Sequence, residues 1–141
     1  MSIKQVQTSI AKISIERDSI VLVELIENTY STYETLEENS LAINKLSGKQ
    51  GGDLVIFDIQ NLKGVSKEAR SLAKSMRYNF VYKAVGIVVG NLLTRMFASF
   101  FVGISRPGFP IKIFNCKKDA HVWLLKINSE LKQSNSPKLD S

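Results

Sequence analysis

Three short apolar runs, Ile20–Leu25, Leu54–Phe57 and Ala84–Val89, most constrain how this chain can fold. The first is interrupted only by Glu24. A run of four to six residues without polar alternation has the pattern of a strand covered on both faces. Between the runs lie stretches with helical periodicity. Strands alternating with helices imply mainly parallel pairing and right-handed crossovers, with these three strands in the centre of the sheet.

The rest of the chain fits around them. Ile13 and Ile15 alternate with Lys12, Ser14 and Glu16, the period of a strand with one wet face. Arg17-Asp18-Ser19 turns this strand into the first apolar run, making a hairpin. Tyr33 to Leu46 reads as a helix, with Glu34, Glu37 and Glu38 early and Lys45 late, which suits the helix dipole. Ser47-Gly48 stops it. The glycine-rich stretch that follows lacks the spacing of a phosphate-binding loop. Ser66 can cap a second helix over about residues 67–79, with Ala69, Leu72, Ala73, Met76 and Phe80 on one stripe. A third helix covers Asn91 to Gly103. Ile111 and Phe114 flank a short fifth strand, and Asn115 can cap a last helix to about Lys132, with Ala120, Trp123, Leu124, Ile127 and Leu131 inward. The expected fold is α/β, a five-stranded mixed sheet with about four helices in the order β-β-α-β-α-β-α-β-α. The two half-polar strands, first and fifth, should be its edges. Residues 1–133 are expected to form one domain and 134–141 a polar tail.

Composition narrows the function classes. The 141 residues are 44% apolar and 23% charged, which excludes a disordered, collagen-like or disulfide-stapled chain. Residues 1–58 hold 5 Lys/Arg against 9 Asp/Glu; residues 59–141 hold 14 against 4. Cys116 is the only cysteine and His121 the only histidine, so no intrachain disulfide and no ordinary zinc site can be built. A reducing, cytoplasmic setting is expected, and Met1–Thr8 lacks the apolar run of a signal peptide. Ala84–Ile104 has the length of a membrane span, but Arg95 falls near its centre and Gly86 and Gly90-Asn91 punctuate it. It reads as a strand, a turn and a helix, so the chain is expected not to be transmembrane.

Two segments resemble a known family. Leu54-Val55-Ile56-Phe57-Asp58 followed by Gly64-Val65-Ser66-Lys67-Glu68-Ala69-Arg70, and Pro110-Ile111-Lys112-Ile113-Phe114 with Ala120 and Trp123-Leu124, resemble the SpoIIAA-like fold of STAS domains. The likeness is closer to bacterial STAS/SEC14-type proteins and spans roughly residues 10–127. It implies a single-domain SpoIIAA-like fold. STAS antagonists carry a phosphorylatable serine at the start of the helix after the third strand, usually preceded by Asp and followed soon by Gly. Ser66 falls near that place, within Val65-Ser66-Lys67-Glu68-Ala69, without the Asp or the Gly. The resemblance therefore does not carry the phosphoswitch role to Ser66, which stays a third reading.

Candidate sites follow from the topology. Ligands of open α/β sheets sit beyond the carboxyl ends of the parallel strands, which points to Asp58, Asn61, Ser66 and Asn91 as a small polar or anion site. These residue types also serve as helix caps and turn holders. Gln60, Asn115 and Cys116 fall at the same edge. Lys67, Arg70, Lys74 and Arg77 line one face of the second helix, either a contact for an acidic partner, a lipid headgroup or nucleic acid, or a solvated face. In the third helix, Leu92, Leu93, Met96, Phe97, Phe100, Phe101 and Ile104 cover about 180° of the circumference, where a sheet-packed helix needs about 100°. Phe109 follows, so four of the seven phenylalanines lie within residues 97–109. This cluster reads as an interface or an apolar pocket.

No catalytic constellation, cofactor motif or nucleic-acid motif is present. The expected function is that of a non-enzymatic STAS-like binding or regulatory module acting on a protein partner or a second copy of itself. The alternative is a carrier or sensor of a small apolar or lipid-like ligand. A cavity lined by Phe97, Phe100 or Phe101 would favour the ligand; the same side chains on an exposed face would favour the interface.

Overall fold

The computed structural model describes residues 4–16, 19–47, 53–76, 82–104 and 109–135. The three apolar runs form neighbouring parallel strands: β3 (Ile20–Leu25), β5 (Asp53–Asp58) and β7 (Tyr82–Val88). In β3 and β5 the register sets Val21 opposite Val55 and Val23 opposite Phe57. β2 (Ala11–Ile15) joins β3 antiparallel through the expected hairpin, closed by Ser19 at φ 66° and by Ser19 N–H donating to the Glu16 carbonyl. β8 (Ile111–Phe114) pairs parallel with β7 and is one edge of the sheet.

Among the described residues the sheet has six strands rather than five, in the order β1-β2-β3-β5-β7-β8. The additional strand, β1 (Lys4–Gln7), lies outside β2, so β2 is not an edge as its half-polar pattern suggested. All four β1 side chains are exposed. Backbone pairing from Lys4 opposite Ile15 to Gln7 opposite Lys12 holds the strand, and such pairing leaves no hydropathy signal. A second, two-stranded parallel sheet joins β4 (Thr29–Ser31) to β6 (Leu62–Val65). These short strands follow the carboxyl ends of β3 and β5, and Asn61 ties them together, its carbonyl accepting from Thr29 N–H and its amide donating to the Leu25 carbonyl at 3.0 Å.

Among the described residues four helices complete the fold: α1 (Tyr33–Ser47), α2 (Lys67–Met76), α3 (Leu92–Ile104) and α4 (Lys117–Asn135). α4 runs three residues past Lys132 and takes in Ser134 and Asn135, assigned above to the tail; 136–141 lie outside the described residues. Alternation along the strands builds two cores. On one face Ile13, Val23, Val55, Val85 and Ile87 meet Ile43 of α1 and Ala98 of α3. On the other, Ile20, Leu22, Ile56 and Val88 meet Ala120 and Leu124 of α4. α4 comes so close to β7 that a Cβ on Gly86 would stand 3.2 Å from that of Ala120. Among the described residues no helix is long and apolar enough to cross a membrane.

Candidate functional site

α1 carries polar residues where its inward stripe calls for apolar ones. Leu36, Asn39, Ser40 and Ile43 fall at i, i+3, i+4 and i+7, one face of a helix. Asn39 is only 7% exposed, and Ser40 is equally buried. The Ser40 hydroxyl donates to the Leu36 carbonyl at 2.9 Å. Thr8 donates its hydroxyl to Asn39 Oδ1 at 2.5 Å, tying the link between β1 and β2 to the middle of α1.

These residues form part of the wall of a cavity of about 180 Å³ between α1, α3 and the sheet. Val23, Phe57, Val85 and Ile87 rise from the strands, Ile43 comes from α1, and Phe101 from α3. Phe57, Tyr82 and Phe109 form an edge-to-face aromatic chain on the same wall, with centroids 6.1 and 5.4 Å apart. No charged side chain lies among its described lining residues.

The broad apolar arc of α3 divides into two. Thr94 and Ala98, both small, are fully buried and let the helix approach the sheet, with Phe97 and Phe101 half-buried beside them. Phe100 is half-buried against Phe101, ring centroids 5.7 Å apart. Leu92 and Met96 face outward, 84% and 60% exposed, with Leu93 partly exposed between them. Of the predicted cluster, Phe101 and Phe109 thus reach the cavity, while Leu93 and Met96 lie on the surface; the Ile104 side chain and residues 105–108 fall outside the described residues.

The predicted polar site lies at the expected edge, but each member is already bonded within the chain. Asp58 accepts from the backbone N–H of Gln60 at 3.1 Å and from its side-chain amide. Asn61 bridges to Leu25 as described, and Ser66 Oγ accepts from Ala69 N–H at 3.0 Å, capping α2. Asn91 and Thr94 cap α3 reciprocally: Asn91 Oδ1 accepts from Thr94 N–H at 2.9 Å, and Thr94 Oγ1 from Asn91 N–H at 3.1 Å. None of the four lines the cavity. Asn115 does not cap α4, which starts one residue later; its side chain accepts from Arg95 Nη2 at 2.5 Å. The lone Cys116, at the cap position, is exposed.

On the basic face of α2, Lys67 and Arg70 are exposed, and Arg70 Nη1 donates to the Val65 carbonyl at 3.0 Å. The Lys74 side chain and Arg77 lie outside the described residues. Another cation has an internal partner: Lys117 Nζ reaches Glu24 at 2.6 Å, joining the start of α4 to the end of β3. Glu24's hydrogen bond, reinforced by its charge, raises the Lys117 pKa above 10.5, against an opposing effect of partial burial. Among the described residues no group of three His, Cys, Asp or Glu could hold a metal ion.

Solved structures share this architecture. One is the crystal structure of an uncharacterised protein of the DUF3478 family, with a SpoIIAA-like fold, from Shewanella loihica PV-4. It matches with a TM-score of 0.58 and 22% identity over 84% of this chain and 98% of its own. The protein therefore has a SpoIIAA-like α/β fold, as the resemblance of its two sequence segments implied. The model of a domain of unknown function, DUF7793, matches residues 13–128, and the chain belongs to that family. No curated protein matches it.

Proposed function

We propose that this protein is a non-enzymatic, cytoplasmic STAS-like binding module that holds a small apolar molecule between α1, α3 and the sheet. The supporting observation is the cavity of about 180 Å³ with its largely apolar lining. A cavity of about 150 Å³ lined by Leu, Ile and Phe stays dry and accepts benzene. Titrating toluene into the ¹⁵N-labelled protein tests this. Saturable shifts should concentrate at Val23, Ile43, Val85 and Phe101, and filling the space with Phe101→Trp should abolish them. Shifts that are absent, or scattered over the surface, refute the reading.

A second reading concerns the outward side of α3. Exposed Leu92 and Met96 are adjacent on one helix face, at i and i+4, and favour self-association with a second copy of the chain. Native mass spectrometry of the wild type should then show a dimer, and Leu92→Asp with Met96→Asp should return it to monomer. A wild type that is monomeric at all accessible concentrations removes this second role and leaves the cavity reading untouched.

A further inference from the structure

We infer that the cavity selects a neutral molecule with an apolar body and one hydrogen-bond acceptor, read by the side-chain amide of Asn39; this rests on the cavity being a ligand site. Asn39 occupies an inward position of α1, lines the cavity and is more than nine-tenths buried. Its oxygen is assigned by its partner. The 2.5 Å contact with Thr8 Oγ1 suits an O–H···O bond and is shorter than an N–H···O bond allows. Thr8 Oγ1 also accepts from Ala11 N–H at 3.1 Å, and of the two acceptors within reach of its own proton, Asn39 Oδ1 at 2.5 Å is much nearer than the Ala11 carbonyl at 3.4 Å. Asn39 Oδ1 is thereby engaged, and Nδ2 remains as a donor of two protons without an acceptor among the described residues.

The other polar groups on the wall are differently placed. Ser40 donates to Leu36, Tyr82 has an interaction of its own, and Ser31 is only partly buried. A buried donor without an acceptor carries a desolvation cost that a ligand oxygen would remove. The ligand is neutral, because no cation stands among the described lining residues to balance a carboxylate taken out of water. Its size follows from the volume: a single ring with a small substituent, somewhat larger than the benzene that about 150 Å³ accommodates. A compact ketone, alcohol or amide fits; a fatty-acid anion does not.

Acetophenone and α-methylstyrene make a matched probe pair, alike in shape, with a carbonyl in one and a C=CH₂ in the other. Both are titrated into the full-length protein and into Asn39→Leu. Both should bind the wild type, and the substitution should weaken acetophenone relative to α-methylstyrene by about tenfold. In the wild type, the Asn39 side-chain NH₂ resonances should move downfield with acetophenone and stay in place with α-methylstyrene. This second readout decides the matter should Asn39→Leu fail to fold. An affinity ratio unchanged by Asn39→Leu, or NH₂ resonances indifferent to the carbonyl, overturns the role of Asn39 while leaving the cavity as a ligand site. Binding of neither probe overturns both.

Discussion

Truncating Ile43 tests the cavity and the packing of α1 together. Ile43 is almost fully buried, and its side chain forms part of the cavity wall. Ile43→Ala removes three carbons, worth about 2.4 kcal/mol at about 0.8 kcal/mol each. The void joins a space that is already open, so the surroundings have little to collapse onto, and the total should reach about 3–4 kcal/mol. Leu124→Ala is the matched control. It also removes three carbons from a fully buried site, but under α4 on the opposite face, away from the cavity, and its cost should be similar. Urea denaturation followed by circular dichroism measures both, with unchanged slope. The ligand then separates them. At about 100 times its dissociation constant for Ile43→Ala, whose enlarged cavity should hold it more tightly than the wild type's, α-methylstyrene should add about 2.7 kcal/mol to that variant. The same probe concentration should stabilise Leu124→Ala no more than it does the wild type. A loss below about 1 kcal/mol for Ile43→Ala would refute the packing of α1. Equal extra rescue of both variants would refute the location of the cavity.

Three other perturbations test neighbouring features. Gly64→Ala sets a Cβ 2.5 Å from Cε1 of Tyr30; that ring is exposed and can swing away, so the loss in a thermal melt should be only about 1 kcal/mol and should vanish in a Tyr30→Ala background. Asn91→Ala removes the α3 cap and should cost about 1 kcal/mol by urea titration. Lys117→Met breaks the half-exposed pair with Glu24 and should cost about 0.5 kcal/mol near pH 7 in low salt. Because folding raises the Lys117 pKa, that contribution is complete below its unfolded value near 10.5 and disappears as pH rises through the folded value, which a stability profile from pH 8 to 12 would show.

The parts of the fold that bury apolar area were legible in the sequence. Ile20–Leu25, Leu54–Phe57 and Ala84–Val89 became the three central parallel strands because each faces a core on both sides. β1 was not legible, since its exposed side chains contribute nothing to a hydropathy pattern and its backbone bonds supply the pairing. β4 and β6, with three and four residues, are too short for alternation to register. The Phe-rich segment was recognised as unusual, but which part of its arc faces inward was not. Small Thr94 and Ala98 took the buried positions and left Leu92 and Met96 outside, the reverse of what size and hydropathy suggest. Asn39 leaves no mark in the charge pattern of α1, which reports only the helix dipole. Projecting Leu36, Asn39, Ser40 and Ile43 onto one face would have exposed the polar gap in its stripe. Lys117 and Glu24 are 93 positions apart, a separation at which local patterns are silent.

The β4–β6 pair has a consequence for traffic into the cavity. Open α/β sheets ordinarily receive ligands at the carboxyl ends of their strands, through loops free to part. Here the connections leaving β3 and β5 are laced together by backbone pairing and by Asn61, and Ser31, Ile59 and Leu62 from the same segments line the cavity below. A molecule passing across this edge has to undo several hydrogen bonds at once. Exchange by that route is a local unfolding event, on the slow timescale of amide opening rather than that of loop fluctuation.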